Sequence, residues 1–252
     1  MRLAVSVAKR PKLSKNFKIK TKCTSLGVSP PSVIIYFVAN RKIPFITGEY
    51  YHIYNRGVDK RDIFNDNKDL SRFLKSVFLF NQNKPIGSIF EYRFGGETPK
   101  KDRLVGIVAY CLNPNHFHFI LKQLRDNGIS EFMKRLGGGY TTYFNLLNKR
   151  NGSLFQGVFK SSHIDSNEYL LRVSAYVNLN KDVHDLDKDS LQLTKSSWDE
   201  YLKLSNEKIC DTDIIIDQFR NRREYEKFAK EALEDIIDNK QKEKELKYLL
   251  ID

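Results

Sequence analysis

The chain has 252 residues, 40% of them hydrophobic and 12% aromatic, a globular composition that excludes a disordered or low-complexity polymer and allows one domain with a real core plus tails. Its longest apolar run, Val33–Ala39, is strand-sized and far short of the roughly 20 residues of a bilayer-spanning helix, so no membrane association is expected. The net charge of +12 suits a polyanionic partner, but ten Lys/Arg stand against Glu49 alone in residues 1–50, and the remainder is nearly balanced.

That asymmetry marks residues 1–47 as a basic extension without helical period, rich in Lys, Ser and Pro, which attracts phosphates without reading sequence. It does not read as a secretory signal, because the apolar run Leu3–Ala8 is too short and precedes its basic residues. Cys23, Cys111 and Cys210 lie far apart with no CxxC spacing, which argues against a disulfide framework or zinc knuckle and fits a reducing cytoplasm.

The folded part is expected over 48–204. Tyr50–Tyr54 is aromatic and β-prone and ends at Asn55-Arg56-Gly57. Asp66–Asn81 is a helix, with Leu70, Phe73, Leu74, Val77 and Phe78 at i, i+3, i+4, i+7 and i+8. Lys84–Asp102 is a polar loop. Leu104–Leu112 reads as a buried strand, Asn113-Pro114-Asn115 as a turn, and His116–Lys122 as a second strand, so the two make a hairpin. Ile129–Lys149 has a helical pattern interrupted by Gly137-Gly138-Gly139. Each glycine costs about 1 kcal/mol in a helix interior, so a break is expected there, or a close approach of the backbone to another element. Phe155–Ile164 can form a strand, and Asp165–Asn180 a helix with Asp165 and Glu168 as its cap. Residues 205–252 form a charged helical region.

The order β, α, β, β, α, β followed by a helix is that of an α+β, ferredoxin-like (split βαβ) fold. It has an antiparallel sheet, helices on one face, and an added helix.

His116 and His118 flank Phe117 on a strand, so both imidazoles point to one face and Phe117 and Phe119 to the other. Two neutral imidazoles side by side bind a divalent metal if a third ligand converges on them. A half-exposed strand with two structural histidines is the plain alternative. A histidine-triad hydrolase would want a third histidine at position 120, where the chain has Ile120.

The block Leu112–Lys122 (LNPNHFHFILK) resembles the histidine–hydrophobic–histidine (HUH) block of single-tyrosine transposases, the REP-associated branch in particular. Three more segments resemble the same family in the same order, covering roughly Gly48–Leu202. They are Tyr51–Gly57, Gly152–Ser162 (GSLFQGVFKSS), and Asp165–Asn180 with its closing YVNLN; Ser196-Ser197-Trp198 resembles a later element. The resemblance implies that His116 and His118 bind a divalent ion (Mg²⁺ or Mn²⁺), that Asn180 supplies a third ligand, and that Tyr176 is the nucleophile that forms a 5′-phosphotyrosine. Tyr176 and Asn180, at i and i+4, would share one helix face. The family usually places proline after the asparagine, where this chain has Lys181.

The partner implied is single-stranded or hairpin DNA. Its contacts are expected from Lys134, Arg135, Tyr140, Tyr143, Lys149, Arg150, Gln156 and Lys160, with Arg56, Lys60 and Arg61 as weaker candidates. This set combines basic groups with flat rings. Tyr140 and Tyr143 read equally as core aromatics. His52, His163 and His184 stand alone and read as structural or surface residues. Relatives act as homodimers that exchange catalytic helices or as monomers, and the sequence favours neither. Two other functions compete: a domesticated protein of the same fold that holds structured DNA or RNA without cutting it, and a phosphoesterase that uses activated water. The expected location is the cytoplasm, with the nucleoid.

Overall fold

A computed structural model describes residues 44–86, 89, 102–183 and 191–249, with side chains up to residue 239. Most of the basic extension, most of the Lys84–Asp102 loop, His184 and Cys23 lie outside the described residues.

Four strands build the main sheet: β1 (Tyr50–Arg56), β2 (Val105–Asn113), β3 (His116–Gln123) and β4 (Lys160–Ile164). A two-residue strand, β5 (Lys195–Ser196), adds to β2. The spatial order is β4-β1-β3-β2-β5, and each described pairing is antiparallel. Helices α1 (Asn67–Phe80) and α2 (Gly128–Leu147) interleave with the first four strands in the expected ferredoxin-like order. Next come α3 (Asn167–Asn178), α4 (Trp198–Leu202), α5 (Asp213–Ile216) and the long α6 (Arg222–Leu249).

Side-chain alternation divides the sheet into two apolar layers. Tyr51, Ile53, Phe117, Phe119 and Leu121 pack with α1 and α2 on one face. Ile120, Ala109 and Cys111 pack with α3 and α6 on the other. A β-bulge between Ile107 and Ala109 inserts Val108 and reverses the parity of β2. Val105 and Ile107 face α1 and α2, whereas Ala109 and Cys111 face α3. One extra residue thereby moves everything beyond it to the opposite side, Asn113 included.

Local chemistry explains the element ends. Asp66 caps α1, its carboxylate accepting from the backbone N–H groups of Lys68 and Asp69. The cap of α3 is Ser166, whose hydroxyl accepts from the Tyr169 N–H. The expected Asp165 cap is thus displaced by one residue, because the shorter serine reaches that amide. Strand β4 is confined to Lys160–Ile164, since positive φ at Gly152 and Gly157 bends the chain before it and Phe155 makes only an isolated bridge to Gly57.

Helix α2 runs unbroken through its glycine triplet, and the close approach takes the place of a break. A Cβ at Gly139 would stand 2.7 Å from the Phe80 ring, whereas Gly137 and Gly138 face open space. Helix α6 is packed on the domain through its first half: Tyr225, Ala229, Ala232, Leu233 and Ile236 are buried against α3. Among the described residues, no helix is long and apolar enough to cross a membrane.

Two chemically identical substitutions should have opposite signs. Gly138→Ala should stabilise by up to about 1 kcal/mol through helix propensity. Gly139→Ala should destabilise by roughly 1–3 kcal/mol, because Phe80 must move. Chemical denaturation of the two variants measures both.

Candidate active site

Strand register gathers the site. On β1 and β3, Tyr54 lies opposite His118 and Arg56 opposite His116; on β4, Lys160 lies opposite Tyr54. Residues directly opposite in a ladder share a face, so these side chains stand together on the side that α3 covers. They line a cleft of about 500 Å³ with Lys60, Gln156 and Tyr176.

The two histidines have different settings. His116 is half-buried, and its Nδ1 lies 2.6 Å from Asn115 Oδ1. The amide oxygen can only accept, which assigns the proton to Nδ1 and makes Nε2 the acceptor. That Nε2 lies 2.9 Å from the Asn113 amide nitrogen and 3.2 Å from Asn180 Oδ1. His118 is buried, with Nδ1 2.9 Å from His52 Nε2. The rings of His116 and His118 are 5.1 Å apart and perpendicular.

Tyr176 comes from α3 and is 4% exposed. Its ring meets His118 edge-on at 5.5 Å and His52 at 5.9 Å. Burial pushes its phenol up to about 12, partly offset by a hydrogen bond with Asn180, so the hydroxyl is protonated near neutrality. Asn180 is wholly buried in a 3₁₀ turn just past α3, and its Oδ1 accepts from the Asn113 amide at 2.8 Å. The helix therefore ends before Asn180 and not at it. Lys181, where proline is usual, keeps a backbone N–H that bonds the Cys111 thiol, a contact proline would lack.

The geometry thus brings His116, His118, Tyr176 and Asn180 into one cluster. The donor set fits a divalent cation: two imidazole nitrogens and an amide oxygen within reach of one another. Among the described residues, no group of three His, Cys, Asp or Glu side chains forms a metal cluster, so the third protein donor would be the Asn180 amide.

Of the expected DNA contacts, Arg56, Lys60, Gln156 and Lys160 stand at this cleft, and Arg56 donates to the Gln156 amide oxygen. Lys60 reaches the wall through a turn in which Asp59 and Lys60 both take positive φ, 54° and 60°. Arg61 is exposed and turned back onto the Val58 carbonyl. The others lie elsewhere. Tyr140 is a core residue, wholly buried with its hydroxyl on the Ile63 carbonyl, which leaves no ring face for a base. Tyr143 donates to Asp69 under the Arg72 guanidinium. Arg135 is held by Glu131 and the Gln82 carbonyl, and Arg150 by Asn145 and the Ser153 carbonyl. Lys149 is exposed beyond the end of α2. Lys134 borders a second cleft, of about 510 Å³, on the α2 side.

Sequence reasoning missed His52, Asn113 and Asn115 as parts of the site. His52 read as isolated because its partner is 66 positions away. Asn113 and Asn115 read as turn formers, and only the bulge in β2 shows Asn113 facing α3. The signal for Asn115 was present in its place beside His116.

Residues 97–180 match the family model described as "Transposase IS200 like". That segment, about a third of the chain, is similar to the IS200-like transposases. It spans β2 through α3 and contains His116, His118, Tyr176 and Asn180. A solved structure described as the REP-associated tyrosine transposase bound to a REP hairpin is also similar. It has 15% identity, covers 68% of this chain and 90% of its own, and has a TM-score of 0.44. The search of curated proteins gives no match.

Asn113→Leu should destabilise the protein by about 1–3 kcal/mol, because it removes the donor to the buried Asn180 oxygen. Denaturation midpoints compared with wild type measure this.

Proposed function

We propose that this protein nicks and rejoins single-stranded or hairpin DNA through a 5′-phosphotyrosine on Tyr176, in transposition or in processing repeat hairpins, with Mg²⁺ or Mn²⁺ as cofactor. The observation that carries this is the shared cleft of Tyr176, His116 and His118 with Arg56, Lys60 and Lys160 at its walls.

His116 Nε2, His118 and Asn180 Oδ1 would hold the divalent ion, which when bound neutralises charge on the scissile phosphate. The protein supplies the rest. Tyr176 Oη attacks phosphorus; the O–P bond forms as the P–O3′ bond breaks. The phenol proton leaves to solvent, and the departing 3′ oxygen takes one up. One ester replaces another, so no nucleotide is consumed and the step can reverse to rejoin strands. Burial opposes loss of the phenol proton, so the positive groups at the cleft must favour the phenolate as it attacks. The ring contacts with His118 and His52 hold the nucleophile beside the metal ligands.

Arg56, Lys60 and Lys160 are all exposed and place phosphate contacts around the nucleophile. Each, changed to Ala, should reduce the slope of log affinity against log salt by about 0.7 for single-stranded DNA. Binding titrations between 50 and 200 mM salt measure the change.

Incubation with labelled hairpin DNA and Mn²⁺ should give a covalent protein–DNA adduct on a denaturing gel. The adduct should vanish with EDTA, in Tyr176→Phe and in His116→Ala. Cleavage without an adduct would show water as the nucleophile; tight binding with neither would show a domesticated binding protein.

A further inference from the structure

His52 is not part of the cluster that the HUH pattern predicts, yet it is wholly buried directly behind it. On the β1–β3 ladder it lies opposite Ile120, which places it diagonally across from His118 on the same face. Its Nε2 is 2.9 Å from His118 Nδ1, and the two rings stack at 5.1 Å with 16° between planes. Tyr54 stacks against both rings, 5.1 Å from His52 and 5.8 Å from His118, and Tyr176 meets His52 edge-on.

A single proton lies between these two ring nitrogens, with two arrangements available. If His52 Nε2–H donates, His118 Nδ1 accepts, and His118 Nε2 carries the other proton; that nitrogen then has no lone pair for a cation. If His118 Nδ1–H donates, His52 Nε2 accepts, and the His118 Nε2 lone pair is released on the far side of the ring.

We propose that His52 is a positioning residue whose Nε2 accepts the Nδ1–H of His118, fixing the tautomer that presents His118 Nε2 to the cleft as a metal ligand. This rests on the metal-site reading above. His116 has the parallel arrangement, its Nδ1 held by Asn115 Oδ1, so both ligands would be oriented by neutral acceptors. Outer partners of metal-binding histidines are commonly carboxylates, carbonyls or water. A neutral imidazole orients the ligand without adding negative charge, and it leaves the full positive charge of the ion to act on an anionic phosphodiester.

The test uses the full chain, selectively ¹⁵N-labelled at its five histidines, with the His118 signals assigned by their loss in His118→Gln. Without metal, His118 should show a protonated Nδ1 and an unprotonated Nε2. His52→Phe, which keeps a flat ring but no acceptor, should shift His118 toward the Nε2–H form. It should also weaken Mn²⁺ binding by about 10–100-fold, while His52→Gln, whose Oε1 can accept, recovers most of both. An Nε2–H on His118 in the wild type overturns the proposal, as does His52→Phe with unchanged tautomer and unchanged Mn²⁺ affinity. If His52→Phe fails to fold, the wild-type tautomer and His52→Gln decide. Mn²⁺ binding that is unaffected by His116→Ala would instead sink the metal-site reading, and the wild-type tautomer would still decide the role of His52.

Discussion

The two-residue repeat of β3, held at the centre of the sheet between β1 and β2, is the constraint on which the rest depends. Phe117 and Phe119 drop into the layer formed with α1 and α2, and the same alternation commits His116 and His118 to the other face. Neither set can move without the other. The apolar side anchors the strand by roughly 1.5–3 kcal/mol for each buried aromatic, and the polar side inherits that rigidity. A histidine pair on a loop would lack it.

Helix α3 completes the site from above, and its position is set by what lies behind it. The Tyr225 hydroxyl of α6 meets the Asn178 amide at 2.8 Å and the Ser174 hydroxyl at 3.2 Å. Ser197 bridges Asn178 to β2 through the Tyr110 backbone. These buried polar links fix the rotation and depth of a helix that otherwise contacts the sheet through interchangeable apolar side chains. Buried polar contacts specify one arrangement because misplacing them leaves groups unsatisfied. In this way the C-terminal region, whose sequence reads as a charged helical tail, bears on where Tyr176 stands.

The site has two electrostatic layers. Near its floor, His52, His118, Asn113, Asn180 and Tyr176 are buried and connected through short hydrogen bonds and ring contacts. At its mouth stand Arg56, Lys60 and Lys160. This separation suits an anionic ligand that enters from solvent and meets the exposed cations first.

By itself the sequence determined the order of elements, the sidedness of His116 and His118, and the hairpin between their strands. All of these follow from periods of 2 and 3.6 residues or from turn chemistry, which are local. Tertiary structure decided what depends on register, parity and distant partners. The bulge at Val108 that turns Asn113 toward α3 is a single inserted residue with no compositional mark. The pairing of His52 with His118 depends on how two strands 66 residues apart align. Tyr140 looked as ready to stack on a base as to fill a core, and only packing against Ile63 and Phe64 chose between them. Local periodicity tells which side chains share a face; only the assembled sheet and its covering helices determine which of those faces meet, because that alignment is set by the burial of residues far apart in the chain.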